Sequence, residues 1–251
     1  MKILNALIDS LTGKDTPVAN VCSGAFWTSV TTRHTGLAAT YREMDLQHSD
    51  HPSAIEDAGQ LVGKKAGSLA EYARSENTVA ASIGVATINS LLEVDERICT
   101  ETGAYDVLAD KGKGLNIAVV GHFPFVPKLR ETARNVWVIE KRLRPGDLPA
   151  EEAARILPRC EVVCLTGTAL INHTLESLLD LCKGAYVVLT GPSSPLSPVL
   201  FDFGVHAICG TRVTDAREVD RYITQGATFK RLRRHGVRLL TMTPPAALRR
   251  E

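Results

Sequence analysis

Residues 115–127, LNIAVVGHFPFVP, decide the fold. The apolar run 117–120 is too short for a free-standing helix, is rich in β-branched residues and ends at Gly121, which is typical of a buried parallel strand. A strand that ends on glycine and leads into a helix is the first βα unit of a doubly wound sheet. Such sheets bind ligands at the carboxyl ends of their strands. The stretch therefore predicts where a ligand lies, and says less about which ligand it is.

Strands and helices alternate after this unit, as expected for parallel strands joined by right-handed crossovers. We predict an α/β fold with a doubly wound parallel sheet in the C-terminal part of the chain. The predicted strands are 116–120, 135–140, 161–166, 185–189 and 206–210, the predicted helices are 151–157, 170–182 and 216–225, and 236–242 is a candidate edge strand.

The N-terminal part has a different pattern, with strands first and helices after. An amphipathic helix over residues 3–11 precedes β-prone segments at 19–30 and 37–41, which indicate a hairpin or small meander. Helical patterns follow at 61–73 and 79–92. We predict an α+β domain over residues 1–95 and a ligand-binding domain over 96–251, with the charged, glycine-containing interval 93–114 as the linker or boundary.

Composition limits the classes of function. The 251-residue chain has 29 basic and 28 acidic residues, so no global field favours nucleic acid, and the basic run 230–238 is interpreted as a solvated helix face. No apolar stretch is long enough for a membrane span, and the N-terminal run is too short and interrupted for a signal peptide. We expect a cytoplasmic protein. Its six cysteines lack a disulfide spacing and are expected to be buried thiols.

The turn after the first strand departs from a dinucleotide-binding fingerprint. Gly121 is present, but Phe123 stands where a second glycine would let the backbone approach a pyrophosphate. The side chains of His122 and Phe123 suit a ring or a metal better. The alternative is a packing turn in which Phe123 and Phe125 fill the core.

Glu140 ends the second strand, nineteen positions after Gly121. An acid at about this spacing binds the ribose diol in nucleotide-binding folds. Because charged residues commonly end strands, a purely structural role is nearly as well supported.

Two further loops are rich in small polar residues. The segment 166–174, TGTALINHT, brings hydroxyls and backbone N–H groups to the start of a helix, which favours an anion, and would place Asn172 and His173 in the first turn. The segment 191–198, GPSSPLSP, is a proline-stiffened loop that would point Ser193 and Ser194 at the strand ends. Either loop could alternatively be a capping or packing feature, but the set favours a binding site.

The usual zinc signatures, a CxxC pair or an HExxH helix, are absent from the sequence. The G-x-S-x-G nucleophile elbow is absent too, and Cys160 and Cys164 are interpreted as buried thiols. His122 and His173 are the candidate metal ligands.

The segments VVGHFPFV, LTGTALINHTLE and LTGPSSPLSPVLFDFG, together with Glu140, resemble a family of prokaryotic proteins described as a "putative heavy-metal-chelation" domain. SGAFWTSV, AGQLVG and ASIGVATINSLL extend the resemblance over nearly the whole chain. It implies an N-terminal domain like that of enolase, a Rossmann-like C-terminal domain and a ligand cleft between them. It does not establish catalysis.

Three functions follow as hypotheses. The first is a protein that binds or chelates a heavy or transition metal, or a metal–small-molecule complex. The second is an enzyme that uses a nucleoside-containing ligand such as S-adenosylmethionine, with Glu140 on the ribose. The third is a non-catalytic scaffold. The expected partner is a small molecule or metal, with no nucleic acid and no membrane, and we allow for a homodimer.

The candidate ligand-binding residues lie in the four segments described above. We expect Gly121, Thr168 and Ser193 to line one cavity, closed by the N-terminal domain near Trp27 or near the loop of His48 and His51. The full set is Gly121, His122, Phe123, Pro124, Glu140, Thr166, Gly167, Thr168, Asn172, Gly191, Pro192, Ser193 and Ser194, with His122 and His173 for a metal.

Overall fold

Two β-sheets organise the chain in the computed structural model, which describes residues 1–41, 55 and 57–244. The N-terminal part forms a small antiparallel sheet of three strands. The remainder forms a larger sheet of seven strands, most of them parallel. The predicted α/β class is therefore correct, although the larger sheet is mixed rather than wholly parallel.

The small sheet is a meander, as predicted. Its strands β1 (Asn20–Ser23), β2 (Trp27–Thr31) and β3 (Thr35–Ala39) pair in sequence order. The predicted strand at 19–30 is thus two strands, separated by a short turn. Of the helices in this part, α3 (Thr78–Leu91) packs against the sheet and α2 (Ala66–Ala70) packs against α3, whereas α1 (Lys2–Ser10) contacts the 3₁₀ turns at 71–74 and 198–203.

Helix α3 is the centre of the N-terminal part. Its N-cap is Asn77, whose side chain accepts hydrogen bonds from the backbone N–H groups of Val79 (3.0 Å) and Ala80 (3.1 Å). Most of its residues are buried, because it packs against β2, β3 and α2 and against a 3₁₀ turn at Glu71–Arg74. Such a helix is apolar all round rather than amphipathic.

The large sheet has the strand order β4-β10-β9-β8-β7-β5-β6. Strands β5 to β9 are parallel, and β10 runs antiparallel to β9 and β4. Its strands are β4 (Cys99–Thr100), β5 (Asn116–Val120), β6 (Asn135–Ile139), β7 (Val162–Thr166), β8 (Tyr186–Thr190), β9 (Ala207–Val213) and β10 (Val237–Met242).

Apolar side chains cover both faces of this sheet. Short 3₁₀ turns at Glu96–Ile98, Ala150–Glu152, Leu157–Arg159 and Pro198–Phe203 complete the connections. The helices are α4 (Ala104–Lys111), α5 (Val126–Leu129), α6 (Ala153–Ile156), α7 (Thr168–Ile171), α8 (Leu175–Leu181), α9 (Ala216–Thr224) and α10 (Phe229–Arg234).

Two details of the predicted C-terminal part are wrong. The segment at 236–242 is a strand but not an edge, because β4 pairs beyond it through Thr241 and Thr100. The interval 93–114, predicted as a linker or boundary, is not an unstructured linker, because it contains the two-residue strand β4 of the large sheet and the helix α4. A two-residue strand carries too little periodicity to be recognised without its partner.

The predicted helix at 170–182 is interrupted. It is two helices, α7 and α8, joined through Asn172, His173 and Thr174. His173 has a φ of 59°, which puts it outside the helical region. It is the one non-glycine residue with positive φ among those that the structure describes.

The strand order creates a switch point between β5 and β7. The chain runs from β5 outward to β6, then returns across β5 to build β7, β8 and β9 on the other side. Loops that leave β5 and β7 therefore diverge, and a crevice opens between them at the carboxyl ends of the strands.

The small sheet packs against the large-sheet part of the chain. Helix α9 contacts β1 and β2, where the Ser29 hydroxyl donates to Asp220 Oδ1 (2.5 Å) and Asn20 Nδ2 donates to Asp220 Oδ2 (2.8 Å). Trp27 Nε1 donates to the carbonyl of Ala227 at 3.1 Å. One cluster of buried apolar side chains extends from α1 and α3 to β7 and β8. A division of the chain at 1–95 and 96–251 remains a prediction.

Within the described ranges, no helix has the length and apolar character that crossing a membrane requires.

Candidate functional site

A large cavity lies at the switch point, between the carboxyl ends of β5, β6 and β7 and one end of the small sheet. Its volume is about 990 Å³, at the upper end of the range for small-molecule sites. The lining residues are Ala25, Phe26, Thr40, Tyr41, Val120, Gly121, His122, Phe123, Ile139, Glu140, Lys141, Arg142, Arg144, Ala150, Glu151, Ala153, Ala154, Thr166, Thr168, Ala169, Asn172, Thr174, Ser177, Leu178 and Leu181.

Seven of the thirteen candidate ligand-binding residues predicted from the sequence lie in this lining. The structure brings together Gly121, His122, Phe123, Glu140, Thr166, Thr168 and Asn172. It places Pro124, Gly167, Gly191, Pro192, Ser193 and Ser194 outside the lining, together with the candidate metal ligand His173.

Gly121 makes the sharp turn from β5 into the cavity. Its φ of +104° strains any residue with a side chain, and a Cβ there would lie 3.1 Å from both Phe123 Cε2 and Thr166 Cβ. Its N–H donates to the carbonyl of Ile139 at 2.9 Å, which holds the turn against β6. The next two side chains, His122 and Phe123, are consequently directed to the cavity wall. Phe123 also stacks on Phe125, with ring centroids 5.1 Å apart.

His122 is backed by a carboxylate that the sequence did not indicate. Its Nδ1 lies 3.4 Å from Asp147 Oδ2, and the two side chains are 28% and 3% exposed. Asp147 ends a turn through Pro145 and Gly146 in which its N–H donates to the carbonyl of Arg144 (2.9 Å). The positive φ of Gly146, +91°, is that of a type II turn. This turn holds the carboxylate beside the imidazole.

Residues 141–147, here called the cationic loop, form one wall of the cavity. Lys141, Arg142 and Arg144 all lie in the lining. Glu140, at the base of the loop, folds its carboxylate back, so that Oε1 accepts from the N–H groups of Lys141 (2.7 Å) and Arg142 (3.4 Å). The carboxylate thereby stabilises the loop backbone. These hydrogen bonds occupy Oε1, one of the two carboxylate oxygens that would bind a ribose diol.

The threonine loop after β7 forms a second wall. Thr166 Oγ1 lies 3.0 Å from Thr168 Oγ1 and accepts from the Thr168 N–H at 3.3 Å. The helix that follows, α7, has only four residues, so its few aligned dipoles make a weak anion site. The expected helix-end anion site is therefore not built as predicted, although both threonines reach the cavity.

Asn172 and His173 point to different places, contrary to the expectation that both face the ligand. The Asn172 side chain lies in the cavity lining and accepts from the Thr174 hydroxyl at 2.7 Å. His173 Nε2 lies 2.8 Å from the carbonyl of Ala73 and lines a separate small cavity of about 50 Å³ near the N-terminus. The positive φ of His173 turns its side chain away from its neighbours. His122 and His173 are therefore not brought to the same cavity.

The proline-rich loop after β8 holds the two sheets together instead of facing the cavity. Ser193 is 1% exposed and accepts a hydrogen bond from the Ala39 N–H of β3 at 2.9 Å. Ser194 is 2% exposed, and its backbone closely approaches Gly167. The carbonyl of Pro192 accepts from Asn89 Nδ2 of α3 at 3.2 Å. The loop was expected at the cavity, but the small sheet covers it.

The small sheet contributes the far wall through the residues that flank β2 and β3. Ala25, Phe26, Thr40 and Tyr41 lie in the lining, and Phe26 is 53% exposed. The expected Trp27 is outside the lining, because its ring packs on Phe229 with centroids 5.4 Å apart. His48 and His51 lie outside the described residues.

The cysteines do not supply donors to this cavity, since none of the six lies in its described lining. Burial raises the pKa of Cys160 to about 11 and that of Cys182 to about 12. It also raises the pKa of Cys209 to about 11 and that of Cys164 well above its usual value. Soft metals bind the thiolate, so these protonated thiols are poor ligands at neutral pH.

The raised cysteine pKa values predict slow thiol chemistry. In native protein at about pH 8, Ellman's reagent should leave Cys160, Cys164, Cys182 and Cys209 unmodified, because they are buried and only a small fraction is thiolate. The half-buried Cys22 and Cys99 should react slowly. All six should react in denaturant. Rapid native labelling of more than two thiols would contradict this description of the core.

Sequence reasoning missed the cationic loop and Asp147. The segment 140–148, EKRLRPGDL, does carry a signal, namely a Pro-Gly turn directly after a predicted strand with basic residues around it. That signal predicts an exposed turn, but it does not predict that the turn folds back to His122.

Two family models match the chain, and both are described as "Putative heavy-metal chelation". DUF4213 matches residues 4–92 and DUF364 matches residues 103–242. Among curated proteins, an uncharacterised protein of Methanocaldococcus jannaschii is 28% identical over 170 residues, which cover 64% of this chain and 66% of that relative.

Two crystal structures share the fold. A protein of unknown function from the DUF364 family of Desulfitobacterium hafniense is 26% identical, with a TM-score of 0.83 over 97% of this chain and 98% of that one. A DUF364 protein of unknown function from Pyrococcus horikoshii is 22% identical, with a TM-score of 0.80 and the same coverage.

Proposed function

Because this chain belongs to the family described as "Putative heavy-metal chelation", we propose that its cavity binds a heavy or transition metal ion held by a small organic chelator. The volume of about 990 Å³ supports a ligand of small-molecule size rather than a bare ion. Among the described residues, no group of three or more His, Cys, Asp or Glu side chains is placed to hold a metal. In this proposal the protein supplies one ligand to the metal, and the chelator supplies the others.

The observation that carries this proposal is the pairing of His122 with Asp147. Imidazole ligands of metals commonly have a carboxylate on the second ring nitrogen, which orients the ring and makes it a better donor. With Nδ1 facing Asp147 at 3.4 Å, Nε2 is the ring nitrogen available to a metal. Asp147 is nearly inaccessible to solvent, so its charge acts on the ring with little screening.

The architecture supports the same proposal. We interpret the small sheet with α1 to α3 as an enolase-N-terminal-like domain, and the large sheet as a Rossmann-like domain with a boundary near residue 95. In this interpretation the cavity is the cleft between the two domains.

Metal titration tests the proposal. Untagged protein is titrated calorimetrically with nickel, cobalt, zinc and copper ions, each free and as its citrate complex. We expect at least one complex to bind at micromolar affinity or tighter. The His122→Ala variant should bind it at least about tenfold more weakly, and Asp147→Asn should weaken it less.

His235→Ala serves as the control, because His235 stacks on Tyr222 outside the cavity lining. Its affinity for the complex should equal that of the wild type. Absence of binding by every ion and complex, or equal affinity in the His122→Ala variant, would remove the basis of the proposal and leave a non-metal ligand or a scaffold.

A second candidate, an enzyme that uses a nucleoside-containing ligand, is supported by the position of Glu140 in the lining at the end of β6. It is the weaker candidate because Glu140 Oε1 already accepts two backbone N–H groups. Stabilisation of the wild type by S-adenosylmethionine in a thermal-shift assay, with none in Glu140→Gln, would favour it over the metal complex.

A further inference from the structure

We propose that the cationic loop recognises an oxyanion, a carboxylate or a phosphate, on a ligand whose remaining body is apolar and planar. The proposal rests on the proposed function in that it concerns the same cavity and names the chemical class of its organic ligand. It depends on the charges and aromatic rings of the lining, and not on the metal.

The charged side chains of the lining include more cations than carboxylates. The cations are Lys141, Arg142 and Arg144, and the carboxylates are those of Glu140 and Glu151. One oxygen of Glu140 is occupied by the loop backbone. Lys141 and Arg144 are exposed, and neither forms an ion pair with any other residue that the structure describes. Unpaired cations on a concave wall attract and orient an anion.

The backbone of the cationic loop is held in place by hydrogen bonds before any ligand binds. At its base, the Glu140 N–H donates to the carbonyl of Leu148 (2.9 Å), and the Leu148 N–H donates to the carbonyl of Val138 (2.7 Å). At its tip, the Arg144 N–H donates to Asp147 Oδ2 at 3.0 Å. Because the backbone is already ordered, an anion has to order only the side chains, which lowers the entropic cost of binding.

Aromatic side chains give the lining an apolar surface. Phe26 is a large apolar side chain with 53% of its surface exposed, and it shares the lining with Tyr41 and Phe123. An apolar planar group placed here would cover this exposed surface. The lining thus combines cationic side chains with aromatic ones, which fits an anion carried on a ring.

Metal-free binding of simple ring compounds tests this inference. The EDTA-treated 251-residue protein is titrated at low ionic strength with salicylate, with phenyl phosphate and with salicylamide, the neutral counterpart of salicylate. We expect at least one of the two anions to bind at least tenfold more tightly than salicylamide. The tighter of the two identifies the oxyanion as carboxylate or phosphate.

The double variant Lys141→Gln, Arg144→Gln should lose at least about tenfold in affinity for that anion, since two charge-assisted contacts are removed. The matched control is Lys113→Gln, Arg159→Gln. Both of these residues are exposed, and they lie just before β5 and β7, at the opposite end of the sheet. The control has the same net charge as the test variant, so it should keep its affinity within about threefold. Unchanged melting temperatures exclude misfolding.

The outcomes separate this inference from the proposed function. Salicylamide binding as tightly as both anions, no binding of either anion, or equal losses in the test and control variants would overturn the inference. His122→Ala should keep metal-free anion binding while it loses the metal complex. If anion binding depends on Lys141 and Arg144 but no metal complex binds, this inference stands and the metal proposal fails.

Discussion

Replacing Gly84 by alanine should destabilise the protein by about 2–3 kcal/mol. A Cβ at this position in α3 would overlap the backbone nitrogen of Ala73 and lie 2.5 Å from the carbonyl carbon of Tyr72. Backbone atoms cannot rotate aside as a side chain does, so the 3₁₀ turn Glu71–Arg74 would have to move away from α3. Helix propensity alone would give the opposite sign, since alanine is favoured over glycine by about 1 kcal/mol inside a helix.

Urea denaturation followed by circular dichroism measures this change. Gly103→Ala is the control, because its new Cβ would have its nearest neighbours at 3.8 Å and its backbone is not in the left-handed region. Its cost should stay below about 1 kcal/mol, with the weakened N-cap of α4 as its main source. A Gly84→Ala protein as stable as the wild type would show that the 71–74 turn does not contact α3 this closely.

Replacing Gly36 by alanine should destabilise the protein in the same way, because Gly36 packs against the other side of α3. A Cβ on this β3 residue would overlap the carbonyl oxygen of Ala86 and lie 2.8 Å from the carbonyl carbon of Asn89. We expect Gly36→Ala to cost about 2–3 kcal/mol, even though glycine is a poor strand residue and the local preference favours alanine.

The Gly36→Ala change should also reach the cavity, because β3 leads directly into Thr40 and Tyr41. Displacing β3 from α3 would shift this wall, so binding of the salicylate or phenyl phosphate probe should weaken together with stability. Gly84→Ala lies on the other side of the helix and should lower stability with a smaller effect on that affinity. Equal affinities in the two variants would show that β3 does not position the wall.

The strands of the large sheet could be predicted because their signals are local. The predicted strand 116–120 coincides with β5, and β6 to β9 lie within a few residues of their predicted positions. A short β-branched run ending at a turn needs no distant information. The position of the cavity at the carboxyl ends of β5 and β7 followed from parallel topology, and Gly121, Glu140 and Thr168 lie in its lining.

What only the tertiary structure decided depends on contacts between distant residues. Asp147 lies beside His122 because a turn folds back across 25 positions of sequence, and Ser193 is buried because β3 from the far N-terminal part covers its loop. His173 turns away from the ligand through one residue with positive φ. Local patterns determine which segments become strands and helices. The pairing of segments, by contrast, is determined by the burial that the whole chain can achieve, and this pairing set which polar side chains reach the cavity.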